Sequence, residues 1–291
     1  MADTAGMQDI RSIQLNSLIK GFADEELTFD KFVSTMGTDA REVRWIQKTA
    51  GFLSSTDTTA LTASRLTNMA HLALPEVIEP SFTRNTSYVK PFIAESPWVS
   101  LRDIKDSMIP IWVTIMRDVT RAVLKDVNDH IYNVLTENQS AVNILSTAST
   151  AAWDAASGVK IITDINTGTR KIRTNNYEPT HIFLSPTDFA SMMVELVETR
   201  GASIPAFSSA KLENGVITEI FGLKVVVSNS VAADSALICA PQRALTLHTF
   251  NDLSTAVKTD EGIANKFRVW CDKIAVLTDP KACHLTTNTQ T

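Results

Sequence analysis

The sequence predicts an α+β fold assembled from an arm, a projecting loop, one long helix, a small mixed unit and a closing run of strands. Three observations predict it. Apolar residues recur at three- and four-residue steps between Ile111 and Val134. After residue 140 short apolar runs alternate with helical registers, and beyond Leu245 strand-like runs continue with no helical period. At 44% hydrophobic and 20% charged residues, the 291-residue chain has globular composition, far from the highly charged, weakly apolar chains that stay disordered.

Residues 1–50 are mixed and charged, with short amphipathic pieces at Ile10–Ile19 and Ala40–Ile46, and read as an arm with helical turns. Residues 51–100 turn rich in Ser and Thr and are interrupted by Pro75, Pro80, Pro91 and Pro97. The stretches Val77–Phe82 and Ser87–Ala94 favour strands. Because proline cannot donate to a ladder, they are expected as an edge-rich, two-stranded excursion with no core of its own.

Residues 101–140 hold the long helix. Ile111, Trp112, Ile115, Met116, Val119, Val123, Val127, Ile131 and Val134 form one face, and Arg117, Asp118, Arg121, Lys125, Asp126 and Asp129 lie opposite. Pro110 suits a first turn, and Glu137–Asn138–Gln139–Ser140 a polar exit. In residues 141–245, Ala155–Thr174 carries a helical register through Val159, Ile162, Ile165 and Ile172, and His181–Leu184 is a short strand. Ser185–Pro186 starts a helix to about Val197, with Asp188 near its positive end. Val216–Ile220 and Lys224–Ser228 flank Phe221–Gly222–Leu223, expected as a three-residue hairpin loop, and Ala236–Ala240 is a further strand. Residues 246–291 add strands at Phe267–Cys271, Ile274–Thr278 and Ala282–Thr286, after one at Ala244–Thr249.

Several function classes are excluded on composition. The ten glycines never approach each other closely enough for a phosphate loop or a hydrolase serine elbow, which need pairs two to five apart. With 27 basic against 32 acidic residues and net charge −5, no electrostatic footprint for tight nucleic-acid binding exists. No apolar run reaches bilayer length and residues 1–30 lack a signal-peptide pattern, so synthesis in the cytosol and no membrane partner are expected. The sequons at Asn85 and Asn138 carry no weight without secretion.

Chemistry-bearing residues are scattered. Cys239, Cys271 and Cys283 show no C-x-x-C pair and read as buried free thiols, Cys271 without a nearby cation to make it a thiolate. His71, His130, His181, His248 and His284 form no metal-binding spacing, and His130 on the helix seam reads as structural. Glu195 and Glu198 share a helical face that reads as solvated. Arg170, Lys171 and Arg173, followed by Asn175–Asn176–Tyr177, form the one compact basic cluster, with a phosphate contact as the alternative to a solvated face. Trp112, Trp153 and Trp270 read as core or interface anchors. No catalytic residue, cofactor or metal site is expected; the weaker enzymatic alternative is a small α/β enzyme acting at Arg170–Arg173 and His181.

The order of these parts resembles the major capsid proteins of tailed bacteriophages, the Hong Kong 97-type fold, over about residues 50–291. Glu79–Pro80–Ser81–Phe82–Thr83–Arg84–Asn85–Thr86, continuing into Val89–Lys90–Pro91–Phe92, is similar to the extended loop of that family. Ile111–Trp112 through Asn133–Val134–Leu135, with its exit at Glu137–Ser140, is similar to the spine helix. Asn175–Asn176–Tyr177–Glu178–Pro179, Phe183–Leu184–Ser185–Pro186 and Phe221–Gly222–Leu223–Lys224–Val225–Val226–Val227–Ser228–Asn229 resemble the axial domain. The resemblance implies an N-terminal arm (1–50), an extended loop (51–100), a spine helix of the peripheral domain (101–140), an axial domain (141–245) and peripheral strands (246–291). It implies a virion shell protein that forms hexamers and pentamers around packaged double-stranded DNA, touched only weakly. The short arm implies a separate scaffolding protein, and a portal completes the expected partners. Lys90 with Asn265 or Asn288 are the residues the family's covalent cross-link would use. An encapsulin-type compartment shell is the alternative within the same fold.

Overall fold

The structure is a computed structural model, and it describes residues 29–48, 82–106, 111–136, 144–155, 157–199, 212–213, 216–217, 219–260 and 262–291. In chain order these form β1 (Ser34–Gly37), β2 (Glu42–Lys48), β3 (Phe82–Tyr88), β4 (Lys90–Glu95), β5 (Val99–Ser100), α1 (Leu101–Asp106) and α2 (Ile111–Thr136). There follow β6 (Leu145–Ala148), α3 (Ile161–Thr174), β7 (His181–Leu184), and α4 (Pro186–Met193) with its π-helical continuation Val194–Thr199. Then come β8 (Leu212–Glu213), β9 (Val216–Ile217), β10 (Glu219–Ile220), β11 (Leu223–Val227), β12 (Ser235–Cys239) and α5 (Pro241–Ala244). The chain closes with β13 (Leu245–Asp260), β14 (Ala264–Leu277), a 3₁₀ turn at Pro280–Ala282, and β15 (Cys283–Thr287). Two compact units result: Met1–Val43, Thr86–Ile131 and Leu247–Ala275 make the first, and Arg44–Asn85, Tyr132–Thr246 and Val276–Thr291 the second.

The first unit is a sheet in the order β1-β13-β14-β4, with β5 also paired to β14, together with most of α2. Met116, Thr120, Val123, Leu124, Val127 and Ile131 are buried at the three- and four-residue steps that the sequence shows. The buried Thr120 hydroxyl donates to the Met116 carbonyl one turn back at 2.8 Å, which removes the cost of an unpaired hydroxyl. Twenty-six residues make α2 about 39 Å long. Trp112 meets the fully buried Phe267 of β14 edge to face, ring centres 6.1 Å apart.

The residues entering β1 are anchored. Phe29 is fully buried and its N–H donates to Asn128 Oδ1 of α2 at 3.4 Å. Lys273 of β14 is buried and pairs with Asp30 at 2.8 Å. β4 is an edge strand, and Pro91 stands there opposite Asp272, where no donor is missed.

Two expectations change in this region. Ala40–Ile46, read as an amphipathic helical piece, falls largely in β2, where Val43 and Gln47 are buried while Glu42, Arg44 and Ile46 are exposed. That is a period of two, and Val, Trp and Ile suit a pleated surface. Ser87–Ala94, read as one strand of a two-stranded excursion, divides between the end of β3, which pairs with β2, and β4, which pairs with β14; residues 77–81 lie outside the described residues. Ile10–Ile19, Pro110 and Glu137–Ser140 lie outside the described residues.

The second unit is a six-stranded sheet in the order β10-β11-β7-β12-β15-β6. β7 runs parallel to β11 and β15 parallel to β6, while β12 is antiparallel to both its neighbours. Ile182, Phe183, Leu184, Leu237 and Ile238 are fully buried. α3 covers one face with Ile161, Ile165 and Ile172; it begins at Ile161, six residues later than the register suggested. It lies so close that a Cβ added at Gly168 would come within 2.8 Å of both His284 Nδ1 and Ile238 Cδ1. Glycine here serves close helix–sheet approach.

α4 starts as read: Ser185 caps it, accepting from the Asp188 N–H at 3.1 Å, with Pro186 in the first turn. The β10–β11 loop is two residues, not three, because Phe221 (φ 51°) and Gly222 (φ 79°) both adopt the left-handed backbone that a tight primed turn requires, and Ile220 pairs directly with Leu223. The stretch 246–291, read as one set of strands, divides: β13 and most of β14 belong to the first sheet, whereas β15 pairs with β12 and β6. A 3₁₀ turn at Pro280–Ala282 lies between β14 and β15 in the chain.

Candidate assembly surfaces

Several of the residues singled out for their chemistry are engaged by neighbours within the fold. His130 accepts from the Ala275 N–H at 3.4 Å and packs 5.6 Å from the Phe92 ring. Burial, then the nearby Lys90 charge, pushes its pKa down to about 4. His284 is fully buried, its Nε2 2.9 Å from Thr147 Oγ1, and burial followed by Lys171 lowers it also to about 4. His181 is half-buried beside Thr180 Oγ1 at 2.7 Å, and His248 is half-buried; burial lowers both. His71 lies outside the described residues.

The basic cluster is not one open patch. Lys171 turns inward to donate to the Ser146 carbonyl at 3.3 Å and to Thr147 Oγ1. Arg173 forms an exposed ion pair with Glu178 at 2.5 Å, and Arg170 is exposed on the outer side of α3. Burial pushes the Cys271 thiol up to about 12, the opposite of an activated nucleophile. Lys90 is exposed on β4, Asn265 sits on β14 opposite Val99, and Asn288 is exposed beyond β15. Trp153 is buried, while Trp112 and Trp270 are partly exposed.

A cavity of about 620 Å³ lies in the second unit, lined by Trp153, Asp154, Lys160, Ser191 and Glu195 among others. Asp154 is already engaged, accepting from the Thr291 N–H at 3.0 Å and hydroxyl at 2.7 Å. The side chain of Glu198, expected beside Glu195, lies outside the described residues. Among the described residues no group of His, Cys, Asp or Glu is arranged to hold a metal ion, and no helix is long and apolar enough to cross a membrane.

Apolar side chains that the chain leaves open are the other notable feature. On the β2–β3 ribbon Ile46 and Phe82 are each 53% exposed and Tyr88 66%. On the β4–β14 pair, Ile93 is 55% exposed directly across from Trp270, beside an ion cluster in which Glu95 pairs with both Lys266 and Arg268. Those two cations hold the Glu95 carboxyl below its usual range. Near the β13–β14 turn, Val257 and Ile263 are exposed, and Lys258 sits 5.9 Å over the Trp98 ring. Large exposed apolar side chains spread over extended strands mark contact surfaces rather than a concave reaction site. Sequence reasoning found the strand carrying Ile93 and touched β3 only at its two ends, Phe82 and Ser87–Tyr88, but missed Ile46; the alternation from Glu42 to Lys48 was the signal that could have found it.

The family model described as phage capsid protein matches residues 98–285. The chain belongs to the phage capsid protein family. Solved structures agree on the fold. A virus-like particle protein from Pyrococcus furiosus is 12% identical with a TM-score of 0.63, covering 95% of this chain and 99% of its own. The capsid protein of cyanophage P-SCSP1u is 11% identical with a TM-score of 0.62, covering 91% and 89%. That of a native GTA particle is 12% identical with a TM-score of 0.59, covering 90% of each. Among curated proteins no sequence matches. The mixed helix-and-sheet fold is therefore the Hong Kong 97-type capsid fold, and the chain is a structural major capsid protein of the virion. The compartment-shell alternative is not favoured by these matches.

Proposed function

We propose that this capsid protein assembles with copies of itself, through hexamers and pentamers, into an icosahedral shell around packaged double-stranded DNA. The carrying observation is the β2–β3 ribbon: two paired strands with Ile46, Phe82 and Tyr88 facing outward. Exposed apolar area of this kind gains free energy only when another surface covers it, about 25 cal/mol per Å² buried. A neighbouring copy supplies that surface when many copies meet in one shell. We assign the first unit to the peripheral domain, the second to the axial domain, and the ribbon to the start of the extended loop.

The net charge of −5 suits a wall that confines DNA without adhering to it, because strong counterion-release binding would hold the genome to the shell. Synthesis in the host cytoplasm, a separate scaffolding protein, a portal and the lack of enzymatic activity belong to the same reading. Negative-stain electron microscopy of the expressed chain tests it, alone and with a co-expressed scaffold. Rings or shells are expected; a chain that stays monomeric at high concentration in both cases overturns it.

A further inference from the structure

The six-stranded sheet holds a feature that shell assembly does not use. Cys239 on β12 and Cys283 on β15 are directly opposite in the antiparallel register, and both are fully buried free thiols. The Ala240 N–H donates to the Ala282 carbonyl at 3.1 Å, so Ala240 and Ala282 form a hydrogen-bonded pair. By the alternation of antiparallel ladders, Cys239 and Cys283 form the next, non-hydrogen-bonded pair, where Cα atoms stand about 4.5 Å apart and side chains are closest. That falls within the roughly 4.4–6.8 Å that a disulfide spans. The two side chains lie on one face of the sheet, in a row with His181 of β7 opposite Cys239 and exposed Lys224 of β11 opposite His181. The row thus runs from the exposed lysine through the half-buried histidine to the buried thiols. Cys271 has no such counterpart: its opposite residue on β4 is Phe92.

We propose that Cys239 and Cys283 are a latent dithiol that a small-molecule disulfide oxidises to a cross-strand staple, locking β15 to β12. This inference is independent of the shell reading. The thiolate of one cysteine attacks the oxidant's sulfur and expels one thiolate; the second cysteine attacks the mixed disulfide and expels the other. The two protein thiols lose two protons and two electrons, and one disulfide of the oxidant becomes two thiols. Burial, together with the hydrogen bond and proximity of Cys283, pushes the Cys239 thiol well up, so the closed sheet reacts slowly and opening or folding of the β12–β15 pair sets the rate. The pair stays reduced in a glutathione-rich cell and closes in an oxidising medium.

The test refolds the full chain from urea with excess oxidised glutathione, and in parallel incubates the folded chain with it, before alkylation in denaturant and intact mass analysis. The expected product takes up one alkyl group instead of three, is 2 Da lighter before alkylation, and yields a non-reduced peptide joining Cys239 to Cys283. The refolding arm should react at least tenfold faster. Cys271→Ser should retain the linkage and Cys283→Ser should lose it. The stapled chain should melt several degrees higher than the reduced one, since the closed loop restricts the unfolded chain. Three alkylatable thiols after refolding in oxidant, a linkage through Cys271, or a lower melting midpoint overturns the proposal.

Discussion

β12 and β3 are both short strands of this chain, and they have opposite relations to it. Every residue of β12 is buried, between β7 and β15. In β3 only Asn85 and Ser87 are partly covered, and among the described residues its one strand partner is β2. β12 reads Ser-Ala-Leu-Ile-Cys, small and apolar, as a strand covered on both faces must; β3 reads Phe-Thr-Arg-Asn-Thr-Ser-Tyr, with its aromatics at the two ends and polar residues between. The first strand draws its stability from its own chain, while the second has almost nothing to lose until a neighbour arrives. Substitutions in the two kinds of region should therefore separate folding from assembly.

The largest expected effect lies where the residues entering β1 meet the first sheet. Lys273→Met leaves the Asp30 carboxylate, only 14% exposed, without its counter-charge, and should destabilise by about 4 kcal/mol. Adding Asp30→Asn should restore most of this in a denaturant-based double-mutant cycle. Lack of recovery would show that the ion pair is not what anchors Phe29–Val33. In the second unit, Gly168→Val forces a branched side chain against His284 and Ile238, and urea unfolding should show a loss of about 3 kcal/mol.

pH should act through the same contact. Folded His284 has its pKa depressed to about 4 from 6.5, so between these values the unfolded chain binds the additional proton. Its contribution is complete above pH 6.5 and is lost as pH falls toward 4, roughly 3 kcal/mol over the whole window. His284→Gln should flatten that part of the stability–pH curve. Asp188→Ala should cost about 2 kcal/mol by calorimetry, because the buried carboxylate accepts from Ser185, from Thr289 at 2.7 Å and from Gln290 at 2.8 Å. Smallest for folding is Phe82→Ser with Tyr88→Ser: the melting curve should move by less than about 0.5 kcal/mol, as exposed substitutions do. Shells should nevertheless be absent from micrographs, and normal shells would remove the ribbon from the assembly surface.

Much of this was legible in the sequence where a local rule had no competitor. Val123, Val127 and Ile131 give a helix in any register, and Ser185–Pro186 with Asp188 writes a helix start in three residues. His181–Leu184, flanked by Pro179 and Pro186, had no room to be anything but a short strand. Ala40–Ile46 was misread because two turns of apolar spacing fit a short helix as well as a strand; pairing with β3 decided it. The Phe221–Gly222 turn was given a residue too many because phenylalanine rarely adopts positive φ, and only the closing Ile220–Leu223 pair imposes it. The β4 part of the proposed assembly surface was legible as a strand but not as exposure, since nothing in the sequence near Ile93 says that the chain leaves this residue uncovered.

Periodicity, caps and composition thus determined the helix of 26 residues, the α+β class, the absence of a phosphate-loop pattern and the set of parts from which a shell protein is recognised. These are properties of neighbours in sequence, and short-range sterics and the burial pattern enforce them. The tertiary structure alone decided which strands are neighbours: that β15 leaves β14 for β12 and β6, that β3 and β4 part company, and that Cys239 faces Cys283. Strand register is fixed by pairing between residues far apart in sequence, whose closure entropy is offset only by the whole buried sheet, so no local window contains it.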